Sequence, residues 1–395
     1  MRPGAAALAG AATVAAIAAA TEAAGHADPT VVSPIVPRGA WDHVWVAALA
    51  AAVVLSVAGW LLARRGLRLR TAVALAVVAQ SIPLAGPVLL SKDLYLYWDH
   101  ARLINVHHAN PYVATPKDFP NDVAYDYTSE SWRPYTAPYG PAWETLARVP
   151  AAAAGTSVDA AELGYRMLAV LGILAIVAVV AVRTRDAGSV ALVGWSPLLA
   201  LHYAGGGHSD AWMMALVAFA VAFGVAARAG PAWAIAGAFK PMPAILLPLE
   251  LAKTRLRMSR RWWTTFLVAA AATAAGAAAE FGFRWFAGAT RGVHQQSPLG
   301  GVHWLTELGV RHRYAVVVCA AIFAVVYLAL LRDAWRTGSS RLSLAATGLC
   351  LTSSLLGPWY GLWPLALAGI EVDGLAAAAA LALSAYLLLG DAVRF

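Results

Sequence analysis

Long runs of apolar residues recur along the chain, separated by short polar or basic segments. The runs lie at residues 44–63, 71–90, 163–182, 190–204, 211–227, 262–281, 314–331, 342–356 and 375–389. The longer runs can each cross a hydrocarbon core of roughly 30 Å as an α-helix, and the shorter ones predict broken or tilted helices. Because the apolar residues do not alternate with polar ones, the pattern predicts helices and excludes a barrel.

The apolar run at residues 231–251 is broken in its middle by Lys240, Pro241 and Pro243. Basic residues flank both of its ends, so a single crossing would leave one basic group outside. Each half, about 10 residues long, rises roughly 15 Å, which is half of a bilayer. The sequence therefore predicts a re-entrant pair of half-helices with Lys240 near the tip, where such a backbone can line a polar cavity.

The composition excludes a soluble fold. Hydrophobic residues make up 60% of the 395 residues, charged residues only 13%, and the mean hydropathy is +0.63. Soluble domains carry about 25% charged residues. The net charge of +8 would suggest nucleic acid in a soluble protein, but the basic residues cluster in short loops between apolar runs. We expect a multi-pass plasma-membrane protein that contacts lipids and no nucleic acid.

The basic loops predict the orientation of the chain. Arginine and lysine concentrate in short loops at residues 64–70, 183–185, 253–261 and 332–341. The positive-inside rule places these loops in the cytoplasm. Residues 91–162 then form a long outer loop, and residues 283–313 form a second outer loop that should face the first. The active site is expected on this outer face.

Residues 1–395 are expected to form one integral-membrane domain. The alanine-rich stretch at residues 5–20 can be an extra helix or a signal peptide, and we favour a retained helix because a proline-rich outer linker follows before residue 43. The predicted fold is an all-α polytopic membrane protein with about 10 to 13 membrane helices, the half-helix pair included.

Asp93 opens the first outer loop directly after an apolar run. A lipid headgroup would lie at this membrane boundary, and a carboxylate there can act as a base toward a hydroxyl. The simpler alternative is that Asp93 caps a helix or pairs with Lys92. Asp99 shares a face with Asp93 if the stretch is extended but diverges from it in a helix. Two carboxylates could hold Mg²⁺ or Mn²⁺ but are too few to establish a metal site, so no cofactor is assigned.

Polar residues beside the later runs also allow two interpretations. Ser209 and Asp210 precede the run at residues 211–227, where either of them as an N-cap is the economical explanation. Lys240 at mid-membrane depth is costly and usually functional or paired, so it either lies near a phosphate group or pairs with a carboxylate such as Asp210. Five aromatic residues are typical of an interfacial belt, with stacking on a sugar as the alternative: Trp132, Trp143, Trp359, Tyr360 and Trp363.

Several of these motifs together resemble a known family. The stretches KDLYLYWDHARL, ANPY, APYGPAW, WSPLLALHYAGGGHSDAWMMAL and AGAFKPMPAILLPL occur in this order within residues 91–251. They resemble segments of the bacterial polyprenyl-phosphate-mannose-dependent mannosyltransferases, in glycosyltransferase family 87 and its relatives within the GT-C superfamily. The sequence departs from the family at His107 and His108, which replace a glycine-containing turn before ANPY.

The resemblance implies a GT-C-like fold and an inverting transfer of mannose from a polyprenyl-phosphate donor to a hydroxyl of a lipid-linked or cell-envelope glycan. Arabinose or glucose on the same carrier would need the same phosphate site. Asp93 is implied as the catalytic base. The other candidates, taken as substrate-binding, are Tyr97, Asp99, Arg102, Asn110, Tyr139, His208, Asp210 and Lys240. The simpler interpretation of Asn110 and Tyr139, both beside prolines, is a pair of turns.

The second outer loop carries an excess of cations, against the positive-inside tendency. Because arginine binds phosphate oxygens through its planar fork, we expect Arg291 and His294 to help hold the donor phosphate. The alternative is contact with anionic lipid headgroups.

Two other functions use similar features. A membrane transporter or flippase of lipid-linked sugars also has broken helices and intramembrane charges, and a non-catalytic assembly subunit could bind polyprenyl lipids. A transporter has no use for an outer loop of roughly 70 residues, which is longer than typical connections, so an enzyme is favoured.

Overall fold

Helices form at the predicted apolar runs in a computed structural model, which describes residues 3–27, 40–288 and 297–392. Within these ranges all regular structure is helical, which confirms the all-α prediction. The α-helices are α1 (Pro3–Ala27), α2 (Ala40–Ala63), α3 (Leu69–Ser81), α4 (Asp93–Asn105), α5 (Pro141–Ala154), α6 (Val158–Thr184), α7 (Ala187–Gly194), α8 (Pro197–Leu199), α9 (Asp210–Phe223), α10 (Ala229–Gly237), α11 (Met242–Lys253), α12 (Arg260–Phe281), α13 (Trp285–Gly288), α14 (Gly301–Glu307), α15 (His312–Thr337), α16 (Leu342–Thr352), α17 (Leu362–Glu371) and α18 (Gly374–Ala392).

Six helices in the described ranges are long and apolar enough to cross a membrane, namely those within α1, α2, α6, α12, α15 and α18. Shorter apolar helices cover Leu69–Ala85, Asp210–Phe223 and Leu342–Thr352. Multiple candidate spans are therefore confirmed. The larger number of membrane helices stays a prediction, because it depends on these shorter elements and on the broken pair.

The run at residues 190–204 is a broken helix, as predicted for the shorter runs. Helix α7 ends at Gly194, and the chain turns through Trp195 and Ser196 before Pro197 starts α8. Proline lacks the N–H that a continuous helix needs, and the Ser196 hydroxyl accepts the Leu199 N–H at 3.4 Å instead. Residues Ala200–Gly205 continue as a π-helical segment.

The predicted break at Lys240 is present. Helix α10 ends at Gly237, and α11 begins at Met242 with Pro241 as its N-cap, so Lys240 lies in the connection between two short helices. Lys240 therefore belongs to neither helix.

The loops predicted to be cytoplasmic meet at one end of the bundle. Arg64 lines a small recess with Asp186 and Asp373, and Arg255 donates to the Trp335 carbonyl at 3.2 Å. The opposite end carries the first outer loop. The start of the second outer loop contacts it, because Trp285 packs in a cluster with Tyr112.

Candidate active site

Asp93 is the first residue of α4, where the positive end of the helix dipole favours a negative charge. Its side chain is 20% exposed, and its Oδ2 atom lies 3.5 Å from Nδ1 of the fully buried His208. The chain reaches this position through Leu90, whose φ of +62° is in the left-handed region, a strained conformation for a branched residue. The Asp93 carboxylate therefore faces a histidine in a partly open site.

Tyr97 lies one turn after Asp93, on the same face of α4. Its ring packs edge-on against Tyr139 at 4.9 Å between centroids, and its hydroxyl donates to Ser209 Oγ at 3.5 Å. Burial, and then the nearby Asp93 carboxylate, raise the pKa of Tyr97 well above its ordinary value. Tyr97 is therefore a protonated hydrogen-bond donor beside the candidate base.

Lys240 and Asp210 form an ion pair close to Asp93 and His208. The Lys240 Nζ atom donates to Asp210 Oδ2 at 2.6 Å, and the Trp363 indole donates to Asp210 Oδ1 at 3.0 Å. The ammonium lies over the rings of Tyr139 and Tyr360, 5.6 and 5.2 Å from their centroids. The Lys240–Asp210 pairing, one of the two roles that the sequence left open for Lys240, is therefore present. Ser209 is the N-cap residue of α9 but makes no side-chain cap hydrogen bond, and the two Asp210 oxygens accept from Lys240 and Trp363 instead of capping the helix.

Two of the motifs that carry the family resemblance dock directly on each other. The Gly140 N–H donates to the Phe239 carbonyl at 3.0 Å, and a Cβ added at Gly140 would lie 2.1 Å from the Ala238 oxygen. Only glycine allows so close an approach of the two backbones. This contact brings Tyr139 over Lys240.

Asn110 does not contact Lys240 directly, but it helps to hold Tyr139 in place through Tyr112. Its Oδ1 atom accepts the Tyr112 N–H at 3.0 Å in the expected turn, and its Nδ2 atom donates to the Phe281 carbonyl at 2.7 Å. The Tyr112 hydroxyl then donates to the Tyr139 carbonyl at 2.9 Å. In the structure Asn110 holds the loop that carries Tyr139. His108, before this turn, has φ +51°, so it keeps the backbone that glycine would favour.

Asp99 and Arg102 lie away from the Asp93 group because the stretch is helical. Asp99 accepts a hydrogen bond from Thr128 Oγ1 at 2.9 Å, and Arg102 donates to Asp122 Oδ1 and to the Gly155 carbonyl, both at 2.6 Å. Burial raises the pKa of Asp99 to about 6. These two residues tie the first outer loop together, and they do not meet Asp93 to form a paired-carboxylate site.

Three aromatic residues of the predicted belt contact the candidate site. Trp359 stacks on the His208 ring at 3.9 Å between centroids, Tyr360 stacks on Trp363 at 4.2 Å, and Trp363 holds Asp210. The belt interpretation stays a prediction for these three, and the structure adds their contacts with the candidate site. A tryptophan pattern in sequence cannot distinguish the two roles, since both place the ring near a polar boundary.

Arg291 and His294 lie outside the described residues. Within the described ranges, no group of three or more His, Cys, Asp or Glu side chains is arranged to hold a metal ion.

Glu144 in α5 is a buried carboxyl near the site, 3.9 Å from His100 Nδ1, and burial raises its pKa to about 8 from an ordinary 4.5. The folded protein then holds more protons than the unfolded chain between these pH values, so its stability falls as the pH rises through this window. We expect Glu144→Gln, which mimics the protonated acid, to raise the melting temperature at pH 9 but not at pH 4.5. Thermal unfolding of detergent-purified protein across this range measures the effect.

Glu130→Gln is the matched control, since that side chain is 91% exposed and its ionisation should not change stability. If Glu144→Gln lowers the melting temperature equally at every pH, ionisation of Glu144 does not destabilise the folded protein.

Known proteins with similar sequences are mannosyltransferases. The family model described as "Alpha-(1->6)-mannopyranosyltransferase, N-terminal domain" matches residues 3–278. The chain is 28% identical to Alpha-(1->6)-mannopyranosyltransferase A of Mycobacterium tuberculosis over 167 residues, which cover 41% of this chain and 31% of the relative. The match thus spans about a third of the relative's length. No solved structure matches the chain. The family match includes Asp93, His208 and Lys240 and ends before Trp359 and Trp363.

Proposed function

Because the chain belongs to the alpha-(1->6)-mannopyranosyltransferase family, we propose that it transfers mannose from a polyprenyl-phosphate donor to a hydroxyl of a lipid-linked or cell-envelope glycan. The family match confirms the resemblance drawn from the sequence motifs. The proposed transfer inverts the anomeric centre, so that a β-linked donor gives an α-linked product.

The observation that carries this proposal is the Asp93 carboxylate, which is partly exposed and lies beside the Lys240–Asp210 pair. In the proposed step Asp93 accepts the proton of the acceptor hydroxyl as that oxygen attacks C1 of mannose. The bond from C1 to the phosphate oxygen breaks, and the electron pair leaves on the polyprenyl phosphate. Tyr97, one turn after Asp93, donates its hydroxyl proton to Ser209 and lines the same site.

Lys240 is suited to the leaving phosphate. An ammonium has three N–H donors, and among the described residues Asp210 takes one of them. The others can reach a phosphate oxygen, since 16% of the side chain is exposed. The pair with Asp210 fixes the position of the ammonium before the donor binds, which lowers the cost of ordering it.

We further propose a GT-C fold with about 10 to 13 membrane helices, in which α10 and α11 form the re-entrant pair and the Asp93 end lies outside the plasma membrane. The gathering of basic loops at the opposite end supports this orientation. Single-cysteine labelling with a membrane-impermeant thiol reagent tests it, because a cysteine placed at Asp126 should react in intact cells and one at Arg257 should not.

The activity is tested by incubating the purified protein with polyprenyl-phosphate mannose, arabinose and glucose and with lipid-linked glycan acceptors, followed by mass and linkage analysis. We expect an added α-(1→6)-linked mannose. Transport of the lipid-linked sugar across proteoliposomes without product formation would instead indicate a flippase.

A further inference from the structure

Two buried histidines lie behind Asp93, and the proposed transfer step does not use them. His202 and His208 are fully buried, and no ring nitrogen of either makes a direct hydrogen bond within the described residues. Burying a polar ring without a partner is costly, and a fold retains such groups where they serve a purpose. The π-helical segment Ala200–Gly205, an element frequent at functional sites, turns His202 into this position.

The two histidines connect two carboxylates. His208 Nδ1 lies 3.5 Å from Asp93 Oδ2, and the centroids of the two histidine rings are 5.7 Å apart. On the far side, His202 Nε2 lies 3.5 Å from Asp391 Oδ2, near the end of α18, and that side chain is 25% exposed. Trp359 stacks on His208 and fixes the plane of its ring.

We propose that Asp93, His208, His202 and Asp391 form a relay that carries the acceptor's proton from the site to the outer surface. This inference rests on the proposed function. The separations are longer than hydrogen bonds, and they need only a small ring movement or one bridging water, as apo sites often do. The relay makes His208 and His202 positioning residues, since neither contacts the reacting atoms.

One proton enters the relay at Asp93 for each proton that leaves it at Asp391. Asp93 gains one proton from the acceptor hydroxyl and gives it to Nδ1 of His208. The Nε2 proton of His208 moves to Nδ1 of His202, and the Nε2 proton of His202 moves to Asp391 and then to solvent. The released phosphate monoester keeps its second negative charge above its pKa of about 6, so the proton has to leave the site by another route.

The test removes the relay without removing the base. In His202→Ala we expect kcat to fall about 10- to 100-fold, at or below the lower end of what a group in direct proton transfer contributes, with the KM values for donor and acceptor unchanged. Added imidazole should fill the space left by the ring and restore kcat with saturation. Asp391→Asn breaks the relay at its surface end with little change in packing, and it should lower kcat in the same way.

His303→Ala is the matched control, because His303 is a partly exposed histidine of α14, on the same predicted face of the protein. Imidazole should not stimulate it. If wild type transfers mannose and both relay variants keep its kcat, or if imidazole fails to restore a slowed His202→Ala, the relay is wrong and the proposed function stands. If wild type transfers no sugar, the proposed function fails and the relay fails with it.

Discussion

Asp93→Asn is expected to lower kcat for mannose transfer by roughly 10²- to 10⁴-fold, the range that a positioned general base contributes. Asparagine has the size of aspartate but cannot accept the proton of the acceptor hydroxyl. The fold should survive, because the His208 contact is 3.5 Å long and the side chain is 20% exposed. The KM values for donor and acceptor should change little, since the carboxylate acts mainly in the transition state. Radiolabelled transfer by purified protein, with melting temperature measured in parallel, gives both quantities.

Asp126→Asn is the matched control for this substitution, because Asp126 is an exposed carboxylate of the same outer loop. It should transfer mannose at the wild-type rate. Transfer by Asp93→Asn at the rate of this control, in membranes that lack the wild-type protein, would reject Asp93 as the base.

The apolar pattern predicted the elements but not every boundary. Runs of small and branched apolar residues mark α2, α6 and α15, whose length follows from the bilayer. The run at residues 190–204, short enough to predict a broken or tilted helix, breaks just before Pro197. The length of the run predicted that it could be broken, but hydropathy did not predict where, because it ignores the N–H that proline lacks.

The sequence predicted which residues belong to the candidate site, but not how they are arranged. The sequence motifs contain Asp93, His208, Asp210 and Lys240. Polar residues beside or within apolar runs indicate a functional site, because burying them in a membrane protein is energetically unfavourable. The pairing of Asp93 with His208, residues far apart in the chain, depends on how α4 packs beside the glycine turn before α9. A single sequence carries no signal for contacts between residues so far apart in the chain.

Residues in one motif also separate into different roles once the helix is known. Asp93 and Tyr97 face the site, whereas Asp99 and Arg102 face the loop interior, because 3.6 residues make a turn. Trp363 was missed as the partner of Asp210 because it follows Asp210 by 153 residues. His202 was missed because a single histidine in an apolar run gives no reason to prefer function over packing.

The Lys240–Asp210 pair should show different effects on stability and on activity. Lys240→Met leaves the fully buried Asp210 carboxylate without its cation, which we expect to cost about 3 to 5 kcal/mol of unfolding free energy. Lys240→Met with Asp210→Asn removes both charges, and the Trp363 indole can still donate to the amide oxygen of the introduced asparagine. This double variant should recover most of the stability but not the activity. Thermal unfolding and steady-state transfer with varied donor concentration measure the two effects.

The activity of the double variant decides the role of Lys240. We expect a raised KM for the polyprenyl-phosphate donor and a kcat lowered by roughly 10²- to 10³-fold, because the charge on the leaving phosphate is no longer stabilised. The matched control removes the Lys253–Glu250 pair, 2.8 Å apart at the opposite end of α11, through Lys253→Met with Glu250→Gln. That control should leave transfer unchanged. Wild-type kinetics in the Lys240→Met/Asp210→Asn variant would mean that the ammonium only neutralises Asp210 and never meets the donor.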